Sequence, residues 1–223
     1  SDANLTALIE CGAPVITIFG KTWDLHVESI MENTEAENLD MIRESVAYLL
    51  SHDREVFYDA EHFFDGYKSN PGFAMKTLEA AVEGGTRCLV LCDTNGGSLP
   101  CDIDTITRET MAHFKDYDDL IFGVHTHNDC AMAVANTINA VHAGATMVQG
   151  TVNGYGERCG NADLTAIIPI LALKMNRACI SEEDLAKLQN LSRFVSETAN
   201  MPPVASRPFV GRSAFTHKGG VHV

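Results

Sequence analysis

The sequence predicts an α/β protein built around a parallel β-sheet, and three observations lead to that class. Five short runs rich in β-branched residues are separated by segments with helical periodicity. The runs recur at intervals of about 30 residues, which is the spacing of parallel βαβ units. Polar side chains follow the C-terminal end of every run, at the edge where parallel α/β folds carry their sites. We therefore expect an enzyme.

The predicted elements follow in chain order. The five strands are the runs Pro14 to Phe19, Glu55 to Asp59, Cys88 to Cys92, Leu120 to Val124 and Thr146 to Thr151. Between the first two strands, Asn33 to Leu50 carries apolar residues at helical spacing, and Leu164 to Leu173 predicts a helix after the fifth strand. Ser181 and the three acidic residues after it predict an N-cap, which opens a helix from Leu185 to about Thr198.

Composition and charge exclude several classes of protein. The 223 residues are 45% hydrophobic and 21% charged, as in packed globular domains. Lys and Arg number 16 against 30 Asp and Glu, so the net charge of −14 argues against a nucleic-acid partner, although a local cationic pocket for a phosphorylated cofactor remains open. No apolar stretch is long enough to cross a bilayer and no leader opens the chain, so we expect a soluble protein without a membrane partner.

The seven cysteines lack the spacing of a disulfide framework, which indicates a reducing compartment and hence a cytoplasmic location. Cys88 and Cys92 lie four residues apart on a predicted strand. At about 3.3 Å per residue they are roughly 13 Å apart, beyond the reach of a disulfide. We expect both to be small buried apolar residues.

The sharpest candidate site is a pair of histidines, His125 and His127, at the end of the fourth predicted strand. Side chains two residues apart on a strand face the same side, so both imidazoles can converge on one divalent ion. Asn128 and Asp129 are candidate partners for the ring N–H groups. The alternative is two histidines in an ordinary loop.

Other candidates follow the remaining strands. The glycine-rich loop at 153–163 fails the spacing of a dinucleotide fingerprint, and its Asn161 offers the metal a carbonyl oxygen unless the loop is only a tight turn. Thr94 is a candidate for binding a substrate carboxylate, whereas the adjacent Asp93 is expected to cap the following turn. Glu61 is either a general base or an ion-paired surface residue.

Near the end of the sequence, His217 and His222 lie in a second glycine-rich segment. This segment is either a lid that closes over a site or a chain end without such a role. The residues alone do not decide between these alternatives.

Taken together, these motifs resemble the acyl-CoA-condensing branch of the metal-dependent aldolase-like TIM barrels, which comprises the 2-isopropylmalate, homocitrate and citramalate synthases. The resemblance rests on the histidine pair, on the loop Gly156 to Asn161 and on Phe215 to His222. Two further stretches, Phe19 to Asp24 and Tyr58 to Gly66, are most similar to the citramalate synthase subgroup. The resemblance extends over essentially the whole chain.

The resemblance implies a partial TIM (β/α)8 barrel, approximately its last five βα units, followed by helices that lead into a lid subdomain. Residues 1–175 would form the barrel part, and residues 176–223 the post-barrel helix and the start of the lid. The family's first-strand Asp-Gly motif, with its adjacent Arg and a metal-binding Asp, finds no match in this sequence. We therefore expect negligible activity from these 223 residues alone, and association through an open sheet edge at Pro14 to Phe19.

The reaction implied by the resemblance joins acetyl-CoA and a 2-keto acid, pyruvate in this subgroup, to give (R)-citramalate and CoA on the route to isoleucine. A divalent metal (Mg, Mn or Zn) held by His125, His127 and Asn161 would act as a Lewis acid on the keto acid. Its coordination would place the substrate carbonyl and carboxylate at the histidine pair.

The remaining roles are also carried over by resemblance. Thr94 matches the position that binds the substrate carboxylate, and Glu61 matches the carboxylate that deprotonates the acetyl methyl group. A histidine of the terminal segment, His222 in preference to His217, would enter the site of the partner protomer in a homodimer.

Two alternatives remain open at this stage. One is another member of the branch, 2-isopropylmalate synthase or homocitrate synthase, while a lyase that cleaves 3-hydroxy-3-methylglutaryl-CoA fits the helix after Ser181 less well. The other is a non-catalytic metal-binding α/β module of five strands.

Overall fold

The structure is a computed structural model that describes residues 3–216. The chain divides into two compact units, the first ending at Gln149 and the second beginning at Gly150. Each unit has its own packing and is described by itself. The boundary between residues 175 and 176 stays a prediction.

The first unit contains a parallel sheet whose strands follow one another in sequence order, as predicted. The strands are β1 (Val15–Lys21), β2 (Glu55–Glu61), β3 (Cys88–Asp93), β4 (Ile121–Thr126) and β5 (Met147–Gln149). Strand β5 is shorter than predicted, and Thr151, at the end of the predicted run, pairs with Asp163 in an isolated bridge. The parallel register places Lys21 opposite Glu61, and His125 opposite Gln149.

The helices of the first unit connect these strands. They are α1 (Ala3–Glu10), α2 (Asp24–Ser29), α3 (Glu35–Leu50), α4 (Phe63–Ser69), α5 (Pro71–Gly84), α6 (Pro100–His113) and α7 (Ala133–Ala143). Helix α3 begins with a reciprocal cap, since Thr34 Oγ1 accepts from the Glu37 N–H at 3.2 Å and the Glu37 carboxylate accepts from the Thr34 N–H at 2.8 Å. Helix α5 ends at Gly85, whose φ of +107° suits a residue without Cβ.

The helices cover one face of the sheet. Alternate residues of β2, namely Val56, Tyr58 and Ala60, are buried on that face, and Tyr58 and Ala60 share a core with Ile42 of α3 and Leu78 of α5. The residues between them point to the opposite face, as the period of two requires. That opposite face is where the polar side chains of the candidate site lie.

The sheet is strongly curved toward this second face. The Gln149 side chain on β5 donates to Asp59 Oδ1 on β2 at 2.9 Å, although two strands lie between them. In a flat sheet, strands three positions apart would be separated by about 14 Å. The polar face is therefore concave, as in a segment of a (β/α) barrel.

The second unit is helical in its described part. It contains α8 (Leu164–Lys174), α9 (Glu182–Ala186), α10 (Leu188–Thr198) and short 3₁₀ helices at Val152–Gly154 and Arg212–Phe215. The predicted cap is confirmed, since Ser181 Oγ accepts from the Asp184 N–H at 3.1 Å. Arg207 joins the C-terminal loop of this unit to its first residues. Its guanidinium donates to the Asp163 carboxylate at 2.6 Å and to the Asn153 carbonyl.

Two further sequence expectations concern cysteines and membrane segments. All seven cysteines have free thiols, and Cys88 and Cys92 are buried, as predicted. Among residues 3–216, no helix has both the length and the apolar character needed to cross a bilayer.

Candidate active site

The two histidines of the predicted metal site lie together at the end of β4. His125 Nε2 and His127 Nε2 are 3.2 Å apart, and His127 is 91% buried, being only 9% exposed. Two nitrogens at this separation can be neighbouring ligands of one ion with metal–nitrogen bonds of about 2.1 Å. The strand periodicity thus brings the imidazoles into a chelating arrangement.

A hydrogen-bonded chain fixes the orientation of the first histidine. His125 Nδ1 lies 2.8 Å from Gln149 Oε1, and Gln149 Nε2 donates to Asp59 Oδ1 at 2.9 Å. A carbonyl oxygen can only accept, so Nδ1 carries a proton, and in the neutral imidazole this leaves the lone pair on Nε2. Partners of this kind orient the histidines that bind metals in proteins.

The Asp59 carboxylate, at the other end of these hydrogen bonds, would be stabilised by a nearby cation. Burial raises the pKa of the Asp59 carboxyl, while the hydrogen bond from Gln149 and the electrostatic interaction with His125 act in the opposite direction. A poorly solvated carboxylate is costly, and a positive ion at the histidines would offset part of that cost.

The residues present fit part of a divalent metal site. In the described part of the chain, no three His, Cys, Asp or Glu side chains form a group that could hold an ion. The predicted third ligand, Asn161, belongs to the second unit, where its Oδ1 is buried and accepts no hydrogen bond from any of residues 3–216. A buried amide oxygen without a partner is the state expected of a group that a ligand satisfies. Imidazole nitrogen and amide oxygen are both donors that divalent ions accept.

Glu61 ends β2 in an ion pair. Its Oε2 is 2.6 Å from Lys21 Nζ, and the two side chains are 24% and 22% exposed. The backbone holds the pair in register, since the Thr22 N–H and hydroxyl both donate to the Glu61 carbonyl. The sequence offered an ion-paired surface residue as one alternative, and the structure shows that ion pair in a half-buried position.

Thr94 lies beside the residue that follows Glu61. Its Oγ1 accepts from the His62 backbone N–H at 2.8 Å, where His62 adopts a left-handed φ of +61°. The neighbouring Asp93 is buried and accepts from the Ser98 N–H at 3.3 Å, which confirms the predicted turn role. Glu61 and Thr94 therefore lie at adjacent strand ends within the first unit.

The sequence profile of the HMGL-like family matches residues 1–195. This chain belongs to the HMGL-like family. Over 222 residues it is 54% identical to the (R)-citramalate synthase of Geobacter sulfurreducens, covering 100% of this chain and 41% of that protein. It is 34% identical over 212 residues to the 2-isopropylmalate synthase of Solidesulfovibrio magneticus, covering 93% of this chain and 40% of that protein.

The solved structures confirm the fold of this HMGL-like chain. The Bacillus subtilis HMG-CoA lyase superposes with a TM-score of 0.76 at 20% identity, covering 94% of this chain and 71% of the lyase. At that identity the likeness establishes the partial barrel alone. The curated synthase relatives confirm the resemblance seen in the sequence motifs, and the chain spans about two fifths of their length, 41% for the Geobacter protein.

Sequence reasoning missed one aromatic and imidazole cluster of this HMGL-like chain. The His26 ring lies 4.4 Å from the His62 ring and 4.7 Å from the Trp23 ring, measured between centroids. Burial lowers the pKa of His26, and the nearby His62 and Lys21 lower it further. Their positions in the sequence could have identified them, since these residues follow the ends of β1 and β2.

The orienting residues Gln149 and Asp59 were also missed as site residues. Each points to the concave face in phase with its strand, as Glu61 does two residues after Asp59. A polar side chain in phase with candidate ligands is the signal that identifies such partners. The predicted terminal histidines, His217 and His222, lie outside the described residues.

Proposed function

We propose that this chain is part of an acyl-CoA-condensing synthase that joins acetyl-CoA and pyruvate to (R)-citramalate and CoA. The observation that carries the proposal is the pair of converging Nε2 atoms, oriented by Gln149 and Asp59. Identity supports the subgroup, at 54% to a citramalate synthase and 34% to a 2-isopropylmalate synthase. In the balanced reaction, acetyl-CoA, pyruvate and one water molecule give citramalate and free CoA.

The histidine pair would hold a divalent metal, Mg, Mn or Zn, with Asn161 as a further ligand. When bound, such an ion supplies Lewis-acid polarisation of the keto acid. The contribution of the chain is orientation: Gln149 keeps the proton on His125 Nδ1 and leaves Nε2 for the ion.

Glu61 would accept a proton from the acetyl methyl group. Its carboxylate is held by the Lys21 ammonium at 2.6 Å, and its backbone is fixed by Thr22. A base held at a strand end can meet the substrate in one orientation, which is the geometric requirement for proton transfer. The proton stays on the carboxyl group as the new carbon–carbon bond forms.

The Thr94 hydroxyl would donate a hydrogen bond to the keto-acid carboxylate. The N–H of His62 fixes the position of its oxygen. His222, in preference to His217, would act from the partner protomer of a homodimer. We further propose a cytoplasmic location and a role in isoleucine synthesis; the seven free thiols support a reducing compartment.

The metal centre is tested by titrating the protein with Mn²⁺, Mg²⁺ and Zn²⁺ by calorimetry. His125→Ala and His127→Ala should each weaken binding by at least about tenfold, because each removes one ligand. His142→Ala removes an exposed imidazole at the end of α7 and is the matched control. Unchanged affinity in both site variants would exclude the pair as ligands.

The reaction is tested by measuring CoA release from acetyl-CoA with pyruvate and with 2-ketoisovalerate. In the whole protein, release should be faster with pyruvate, and the reverse preference would assign a 2-isopropylmalate synthase. Metal binding without any CoA release by the whole protein would favour a non-catalytic module. These 223 residues alone should turn over far more slowly than an ordinary enzyme at about 10 per second.

A further inference from the structure

The second unit differs sharply in charge from the first. Residues 1–149 contain eight Lys and Arg against 24 Asp and Glu, whereas residues 150–223 contain eight against six. The whole chain has a net charge of −14, so its acidity resides in the first unit. The charges of the second unit therefore oppose the binding of an anionic ligand less than those of the first unit do.

A cavity of about 390 Å³ lies in this second unit. Ser192 and Arg193 of α10 form one side, and the loop at 203–212 forms the other. Its volume is within the range of small-molecule sites, which is about 300–1,000 Å³. Among residues 3–216, the charged residues that line it are three arginines: Arg193, Arg207 and Arg212.

The three arginines have different partners. Arg207 is 16% exposed and is committed to Asp163 and Asn153, so its role is structural. Within residues 3–216, neither Arg193 nor Arg212 has a carboxylate at ion-pair distance. Arg193 and Arg212 are exposed side chains that line one cavity of a very acidic chain. In the first unit, by contrast, most arginines are paired with carboxylates. The pairs are Arg43 with Asp40, Arg87 with Asp119 and Arg108 with Asp104.

The loop that carries Arg212 is a built structure. The Gly211 N–H donates to the Arg207 carbonyl at 2.9 Å, and the Ser213 N–H donates to the Ala205 carbonyl at 2.9 Å. A Cβ at Gly211 would lie only 2.7 Å from the Arg207 nitrogen, so the turn requires glycine. These bonds fix the backbone on either side of Arg212, which lines the cavity.

We propose that this cavity binds a phosphate group through the side chains of Arg193 and Arg212. A guanidinium presents two parallel N–H donors that match two phosphate oxygens, and it stays charged at every physiological pH. We choose phosphate over a carboxylate because its three acceptor oxygens and charge of about −2 let one group bind both guanidinium side chains. The group can belong to a nucleotide-bearing cosubstrate such as CoA or to a free phosphate, and the experiment separates these sources. The proposal does not rest on the proposed reaction.

The test is calorimetric titration of the 223-residue chain at low salt with inorganic phosphate, adenosine 3′,5′-bisphosphate and CoA. Arg193→Gln and Arg212→Gln should each weaken binding about tenfold, since each removes a charge-assisted hydrogen bond. Arg212→Lys keeps the charge without the paired donors and should recover only part of the affinity. Circular dichroism verifies that each variant is folded.

Arg177→Gln is the matched control, because Arg177 is an exposed arginine of the same unit that does not line the cavity. It should leave affinity within about twofold of the unaltered chain, since it changes only the distant field. Equal arginine-dependent binding of all three probes supports a general phosphate site, and tighter binding of the bisphosphate and CoA assigns the site to the cosubstrate. The proposal is overturned if none of the probes binds, or if Arg177→Gln weakens binding as much as the cavity variants do.

Discussion

At the scale of single residues, Gln149 connects the chemistry of the site to its support. One amide accepts from His125 and donates to Asp59, so it selects a tautomer and satisfies a buried carboxylate at once. The amide can bond to both because it has an acceptor and a donor. A carboxylate such as Asp59 can only accept, and the imidazole Nδ1–H can only donate.

We expect Gln149→Leu to weaken metal binding by about 10–100-fold, as the loss of an orienting partner does in other metal sites. The His125 ring would then populate both tautomers, which ¹⁵N NMR of the imidazole measures directly. Asn139→Leu removes a half-buried amide from α7, one that bonds only to the Ala135 carbonyl of its own helix among the contacts of residues 3–216, and serves as the control. Unchanged affinity together with a single Nδ1–H tautomer would contradict the assigned role.

Residue-scale prediction from sequence succeeded where the contacts are local. His125 and His127 are two apart, so the strand period alone brings them together. Gln149 and Asp59 are 90 residues apart and meet only because the sheet curves. Nothing in the local pattern encodes that curvature, so the sequence could not identify their contact.

At the scale of elements, the start of α3 is set by the cap between Thr34 and Glu37. The hydrogen bonds from Thr34 lower the pKa of the Glu37 carboxyl. A carboxyl whose pKa is lower in the folded state adds stability above its unfolded pKa, and this stability is lost as the pH falls through the folded pKa.

Thr34→Ala should lower the free energy of unfolding by about 1 kcal/mol at neutral pH, because it removes the acceptor for a helix N–H. The difference from the unaltered chain should shrink as the pH falls through the carboxyl range. Urea denaturation at several pH values measures both effects. Thr105→Ala, at an exposed position inside α6, should leave stability unchanged or slightly higher. The Thr34 backbone N–H, which also donates to Glu37, is retained in this variant, so a constant difference across pH would exclude a contribution only from the bond between the Thr34 hydroxyl and the Glu37 carboxylate.

Element-scale prediction located every strand of the first unit and missed one helix break. The predicted helix from Leu185 is two helices, which meet at Lys187. Lys187 keeps a helical φ of −83° and ψ of −8°, and its side chain bonds back to Glu183 at 2.7 Å. Hydrophobic periodicity does not reveal this break, because the backbone at the junction stays helical and the direction of the apolar face changes little across it.

At the scale of the whole molecule, the sheet is open at β1. Among residues 3–216, β1 pairs only with β2, and Phe19 on this edge is 70% exposed. An apolar cleft of about 890 Å³ adjoins the edge, lined by Leu5 and Leu8 of α1 and by Met41 of α3. Unpaired edges beside apolar surface are sites of association.

The 223-residue chain should therefore self-associate in a concentration-dependent manner, and Phe19→Lys should shift it toward monomer. A charge on an edge strand opposes pairing with a second strand. Sedimentation velocity measures the shift. Phe194→Lys replaces an exposed aromatic residue of α10 and is the control, at 64% exposure. A chain that stays monomeric at all concentrations, or an equal effect of both variants, would contradict this expectation.

The contact between Gln149 and Asp59 has a thermodynamic consequence for the curved sheet. The bond exists only when β2 and β5 approach across the concave face, and the same amide sets the imidazole that would receive the ion. At the proposed metal site, the binding of the ion and the curvature of the sheet would therefore be linked, so that each favours the other to the same extent. A ligand that favours the curved sheet should tighten the binding of the ion, and the bound ion should in turn resist flattening of the barrel wall.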